Sequence, residues 1–89
     1  MATVTIYRTS YCPYCDMAER LFKSLDVDYE KIDVTGDADA RAMLVERTGG
    51  KRTVPQIFIG ETGIGGYTDA QALADRGELQ KLIATARGA

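Results

Sequence analysis

Val4-Thr5-Ile6-Tyr7-Arg8-Thr9-Ser10-Tyr11-Cys12-Pro13-Tyr14-Cys15 is the stretch on which the fold turns. Val4 and Ile6 alternate with Thr5 and Tyr7, as in a strand with one buried face, so the chain is expected to open on a strand from Val4 to Tyr7. Pro13 suits the first position of a helix, where the N–H that proline lacks would be unpaired anyway. Behind it Ala18, Leu21, Phe22 and Leu25 recur at helical spacing and mark a buried stripe. Glu19 and Lys23 stand one turn apart and are expected to pair elsewhere on that helix. Cys12 and Cys15 are the only cysteines of the chain, and they sit on the seam between strand and helix.

Further along, Tyr29 to Val34 alternates as a second strand, with Lys31 and Asp33 on one side. Two strands joined through such a helix imply a parallel βαβ unit. A turn at Thr35-Gly36-Asp37 leads into a second helix, about Ala38 to Arg47, with Asp37 as its N-cap and Gly49-Gly50 as its stop. Thr53 to Ile59 reads as the third strand, with Pro55 near its beginning. Gly60-Glu61-Thr62-Gly63 reads as a hairpin turn into a short fourth strand around Ile64. Thr68-Asp69-Ala70-Gln71 has the capping-box pattern and should open a third helix. Gly77 interrupts that helix, and Leu79, Leu82 and Ile83 give a final amphipathic segment. The expected order is βαβαββα, with residues 1–89 forming one α/β domain.

Composition narrows the function. A net charge of −2 leaves no basic patch for nucleic acid, and Lys51-Arg52 is too short a run to make one. No apolar stretch approaches a membrane span, and Met1-Ala2-Thr3-Val4 lacks the regions of a signal peptide. A cytoplasmic location is therefore expected, with the chain a monomer. In a reducing compartment a vicinal cysteine pair is more often catalytic than structural.

A cysteine at a helix start lies against unpaired backbone N–H groups and the positive end of the helix dipole. That environment favours the thiolate, which is the nucleophile. A structural staple, half a zinc site and two inert thiols are the competing readings. A loop this short would stabilise by only ~2 kcal/mol before strain is subtracted. Zinc wants four Cys or His ligands, and the chain has no histidine and no third cysteine. Pro13 and polar flanks argue against deep burial. A Cys-x-x-Cys beside a βαβ pattern points to redox chemistry.

Four segments together make the chain resemble a glutaredoxin, the glutathione-linked branch of the thioredoxin superfamily. They are Cys12-Pro13-Tyr14-Cys15, Thr53-Val54-Pro55-Gln56-Ile57-Phe58-Ile59, Gly65-Gly66 with Asp69 after it, and Ala72-Leu73. The resemblance implies a thioredoxin-like fold with a central four-stranded mixed sheet flanked by helices. It implies that Cys12 is the attacking thiolate, exposed at the helix start, and that the more buried Cys15 is the resolving thiol. Tyr14 would limit what approaches the sulfur. The Val54–Pro55 bond would be cis, leaving the Val54 backbone, flanked by Thr53 and Pro55, to pair with the cysteinyl part of glutathione. Gly66, the backbone of Tyr67 and Thr68, and the side chain of Thr68 or Asp69 would bind its γ-glutamyl end.

Two positions depart from that family's pattern. Thr68 stands where glutaredoxins often carry an acid, so weaker glutathione affinity is expected. Thr9 stands where a basic residue is common three positions before the first cysteine. Arg8, one position earlier, would point to the opposite face of the strand, leaving Lys51 or Arg52 to meet the glycine carboxylate. The implied activity is reduction of protein disulfides and of glutathione mixed disulfides, with glutathione as co-substrate and no bound metal or permanent cofactor. Ribonucleotide reductase is among the implied clients. A glutaredoxin-like donor recharged by thioredoxin reductase and an iron–sulfur-binding module are the alternatives. The former tends to lack the glutamyl-site residues, and a proline inside the motif disfavours the latter.

Overall fold

The computed structural model describes residues 3–88. Strand β1 (Val4–Arg8) leads through a short loop to helix α1 (Pro13–Ser24), then β2 (Tyr29–Asp33) and helix α2 (Ala38–Arg47). A hairpin of β3 (Gln56–Ile59) and β4 (Thr62–Gly65) follows, and helices α3 (Tyr67–Asp75) and α4 (Glu78–Gly88) complete the described chain. The sheet order is β2-β1-β3-β4. β1 and β2 are parallel, as the intervening helix demands, while β1–β3 and β3–β4 are antiparallel. This is the thioredoxin-like four-stranded mixed sheet that the sequence predicts.

Alternation along β1 sends Val4, Ile6 and Arg8 to one face of the sheet and Thr5 and Tyr7 to the other. On the first face, Val4, Ile6, Ile57 and Ile59 pack with Ala18, Leu21 and Phe22 of α1 and with Ala70, Leu79 and Ile83 of α3 and α4. On the second face α2 buries Leu44, and Arg47 lies over the Tyr7 and Phe58 rings, 5.9 and 4.2 Å from their centroids.

Several boundaries differ from the sequence reading. β3 begins at Gln56, not Thr53, so the Thr53–Pro55 segment lies outside the ladder. The hairpin turns at Gly60-Glu61, and Thr62 already belongs to β4. Helix α3 starts one residue before the expected capping box. Gly66 is its N-cap, and Asp69 closes the turn by accepting the Gly66 N–H at 3.0 Å. Gly77, at φ +73°, separates α3 from α4 where a side chain would be strained. Of the three apolar residues that mark the final amphipathic segment, Leu79 and Ile83 are buried and Leu82 is 36% exposed. Glu19 does not pair with Lys23. It is buried beneath α1 against Arg8, a contact that helical spacing alone does not reveal.

Candidate active site

The loop after β1 carries Cys12 to the end of the sheet and is braced from β2. The Thr35 hydroxyl accepts the Ser10 N–H at 2.7 Å, and Ser10 Oγ reaches Asp33 Oδ2 at 3.2 Å. The hydroxyl and N–H of Thr35 hold the Asp33 carboxyl below its usual range, with Ser10 and the Arg8 charge adding to the effect. The Ser10 contacts are not legible locally, because Ser10 and Thr35 are 25 residues apart in sequence.

Cys12 is the N-cap of α1, and its Sγ accepts the Cys15 N–H at 3.1 Å. Its Cα lies 5.1 Å from that of Cys15, and the two form a disulfide. Cys15 is fully buried and Cys12 only 8% exposed, less open than its expected role as the exposed thiol suggests. The cover is tertiary: Val54 lies over it, with the carbonyl oxygen 3.8 Å from Cys12 Sγ. The Val54–Pro55 peptide bond is cis.

Beside the disulfide is a groove of about 160 Å³. Tyr14 forms one wall, Thr53, Val54 and Pro55 the floor, and Gly66, Tyr67 and Thr68 the other wall. The Tyr14 and Tyr67 rings stand 6.3 Å apart, and Tyr14 is 58% exposed. Gly65 allows the second wall to form. At φ +100° it has the backbone that glycine tolerates, and a Cβ there would run into the Asp69 carboxylate. Tyr67 and Thr68 stand in the first turn of α3, whose N–H groups have no acceptor inside the helix. Asp69, expected at the glutamyl end, does not line the groove, and its carboxylate accepts the Gly66 N–H instead.

Lys51 and Arg52 are exposed and precede the floor segment directly. Arg41 of α2, which sequence reasoning missed, donates to the Arg52 carbonyl at 2.9 Å and so stands at the same edge. No sequence signal marks it, because the contact depends on how α2 lies against the loop. Among the described residues there is no cluster of His, Cys, Asp and Glu able to hold a metal ion, and no helix is long and apolar enough to cross a membrane.

A cysteine capping a helix, a second cysteine one turn on in a disulfide with it and a groove alongside, all on a thioredoxin-like sheet, define a thiol–disulfide redox protein. The glutaredoxin family model matches residues 4–64. A glutaredoxin of Pseudomonas aeruginosa is 45% identical over 83 residues, covering 93% of this chain and 98% of that protein. Glutaredoxin 3 of Escherichia coli is 42% identical over 83 residues, covering 93% and 99%. Among solved structures, a buckwheat glutaredoxin–glutathione complex superposes with a TM-score of 0.86 at 30% identity, covering 96% of this chain and 79% of that one. The Brucella melitensis glutaredoxin gives 0.80 at 40% identity, covering 93% and 89%. The chain belongs to the glutaredoxin family, and its activity is that of a thiol oxidoreductase working through the Cys12–Cys15 pair.

Proposed function

We propose that the protein reduces glutathione mixed disulfides and protein disulfides with glutathione as co-substrate. The observation that carries this is the groove beside Cys12, formed by Tyr14, the Thr53–Pro55 segment and the start of α3. Its floor offers the backbone of Val54, a strand-like partner for a peptide. Its second wall offers helix-opening N–H groups, which suit a carboxylate. The buckwheat relative was solved as a complex with glutathione. In our reading Thr68 takes the part of a hydrogen-bonding side chain for the glutamyl end, and Asp69 acts by shaping the wall through Gly66. Lys51, Arg52 and Arg41 give the glycine carboxylate its positive edge.

The chemistry follows from the positions of the two sulfurs. Cys12 thiolate attacks the glutathione sulfur of a mixed disulfide, the S–S bond breaks, and the client leaves as a thiolate that takes up a proton. Cys12 is then bonded to glutathione, and a second glutathione thiolate attacks that sulfur, giving oxidised glutathione and free Cys12. For a protein disulfide, Cys15 attacks Cys12 in the mixed intermediate and releases the reduced client. That leaves the Cys12–Cys15 disulfide, which two glutathione molecules reduce. Holding glutathione in the groove aligns the sulfurs and supplies the proximity part of the rate. We take residues 1–89 to act as one monomeric domain in the cytoplasm, where glutathione keeps the cycle supplied.

The test is glutathione-coupled reduction of a small glutathione mixed disulfide by wild type, Cys12→Ser and Cys15→Ser. Loss of turnover with Cys12→Ser and its retention with Cys15→Ser is the expected result. An inactive wild type that thioredoxin reductase revives would overturn the glutathione assignment.

A further inference from the structure

Beneath the cysteine-bearing helix lies a charged cluster that the exchange chemistry above does not use. The Arg8 side chain, 11% exposed, bridges two carboxylates of α1. It is 2.8 Å from Asp16 and also bonds Glu19, while its Nε donates to the Thr9 carbonyl at 3.1 Å. Glu19 further accepts the Tyr29 hydroxyl at 2.7 Å and lies 3.9 Å from Lys31 Nζ. Replacing a buried ion pair of this kind with apolar side chains is often neutral or stabilising, so stability is a weak reason for its presence.

Its placement suggests another. Asp16 stands one turn beyond Cys12 and donates its N–H to the Cys12 carbonyl at 3.1 Å. Glu19 stands one turn beyond Cys15, on the same buried side of α1. Residues one turn apart are neighbours on a helix surface, which sets Asp16 on the side of Cys12 and Glu19 on the side of Cys15. Unopposed, the two would repel a thiolate at Cys12 and cancel the advantage of the helix N-terminus. The elements around α1 bring further groups: Tyr29, Lys31 and Asp33 from β2, and Tyr67 and Asp69 from α3. Of these, Lys31 approaches Glu19, Asp33 is braced by Ser10 and Thr35, and Asp69 is engaged by Gly66.

We propose that Arg8 is a positioning residue for the thiol chemistry. Its guanidinium ties the first turns of α1 to the end of β1 and neutralises the carboxylates beneath Cys12 and Cys15, so that they do not act on the Cys12 sulfur. Glu19 remains ionised to do its part. Burial pushes its carboxyl up, but the bonds from Tyr29 and Arg8 and the charges of Lys31 and Arg8 outweigh that and leave it below its ordinary value.

The test reads the thiolate directly and needs no glutathione, so it stands apart from the co-substrate assignment. In a Cys15→Ser background, the rate of Cys12 alkylation by iodoacetamide is followed against pH, with circular dichroism as a check of fold. Arg8→Gln should move the midpoint upward and slow alkylation about threefold at a pH below it. Asp16→Asn and Glu19→Gln leave the guanidinium less neutralised and should move the midpoint downward, and Arg8→Lys should keep most of the wild-type profile. A merely structural role would move the Arg8 and Glu19 variants the same way. Shifts of one sign throughout, or none, overturn the proposal. Should Arg8→Gln not fold, Asp16→Asn decides alone, because the Asp16 side chain is 56% exposed and its loss leaves Arg8 still paired with Glu19. A downward shift there supports the proposal, and no shift or an upward one overturns it.

Discussion

The two faces of the sheet are covered in different ways. On one, α1, α3 and α4 close over Val4, Ile6, Ile57 and Ile59 with apolar side chains from three helices. On the other, α2 alone covers Tyr7 and Phe58, and it does so with one buried leucine and the exposed cation of Arg47 stacked on the rings. Both sulfurs belong to the thickly packed side. A helix that must hold two cysteines one turn apart through bond making and breaking gains from a rigid seat.

The sharpest way to break this contrast is to remove Phe22, the largest fully buried side chain. Phe22→Ala is expected to cost about 3–5 kcal/mol in urea unfolding and to lower the exchange rate by loosening α1. Leu44→Ala on the thin face should cost less, about 2–3 kcal/mol, and leave the exchange rate near wild type. Equal effects on exchange from both variants would sink the idea that the two faces differ in function.

A pH effect comes next in size. Burial, then the bond and charge of Glu19, push the Tyr29 phenol from 10.0 up to about 12. A group raised on folding stabilises fully below its unfolded value, so this contribution holds below about pH 10 and is lost as pH rises towards 12. Ultraviolet titration should show a tyrosinate step near pH 12 that is absent in Tyr29→Phe. At the acid end, Glu19 is depressed on folding, so its contribution is present above the unfolded carboxylate value and fades as pH falls through the folded one. Glu19→Gln should flatten that acid limb in urea midpoints measured against pH. The smallest effect belongs to Arg47→Met, about 0.5–1 kcal/mol for an exposed cation over aromatic rings, read from the same unfolding curves.

Much of the architecture was legible because it is written in short-range pattern. The Val4/Ile6 alternation, Pro13 at the helix start, the Ala18–Phe22 stripe and the Asp37 cap each depend on neighbours within a turn or two. The cysteine pair and the residues around Pro55 and Gly66 were equally visible, since each belongs to a contiguous motif. The errors have a common cause. Glu19 carries the spacing to pair with Lys23, yet a partner on β1 competes and wins in the dry space under α1. Leu82 has the right period for the core, but the break at Gly77 sets the direction of α4 and leaves it at the surface.

The identity of the reacting groups was written in the chain: two cysteines capping and entering a helix, among elements whose succession follows from hydrophobic period and turn chemistry. Only the tertiary structure decided how open those sulfurs are and what surrounds them. It brought Val54 over Cys12 from 42 residues away, set Tyr14 against Tyr67, and placed Arg8 between two carboxylates of α1. The physical reason is range. Periodicity and caps act over a few residues of chain, whereas the field at a sulfur depends on whatever lies within a few ångströms in space.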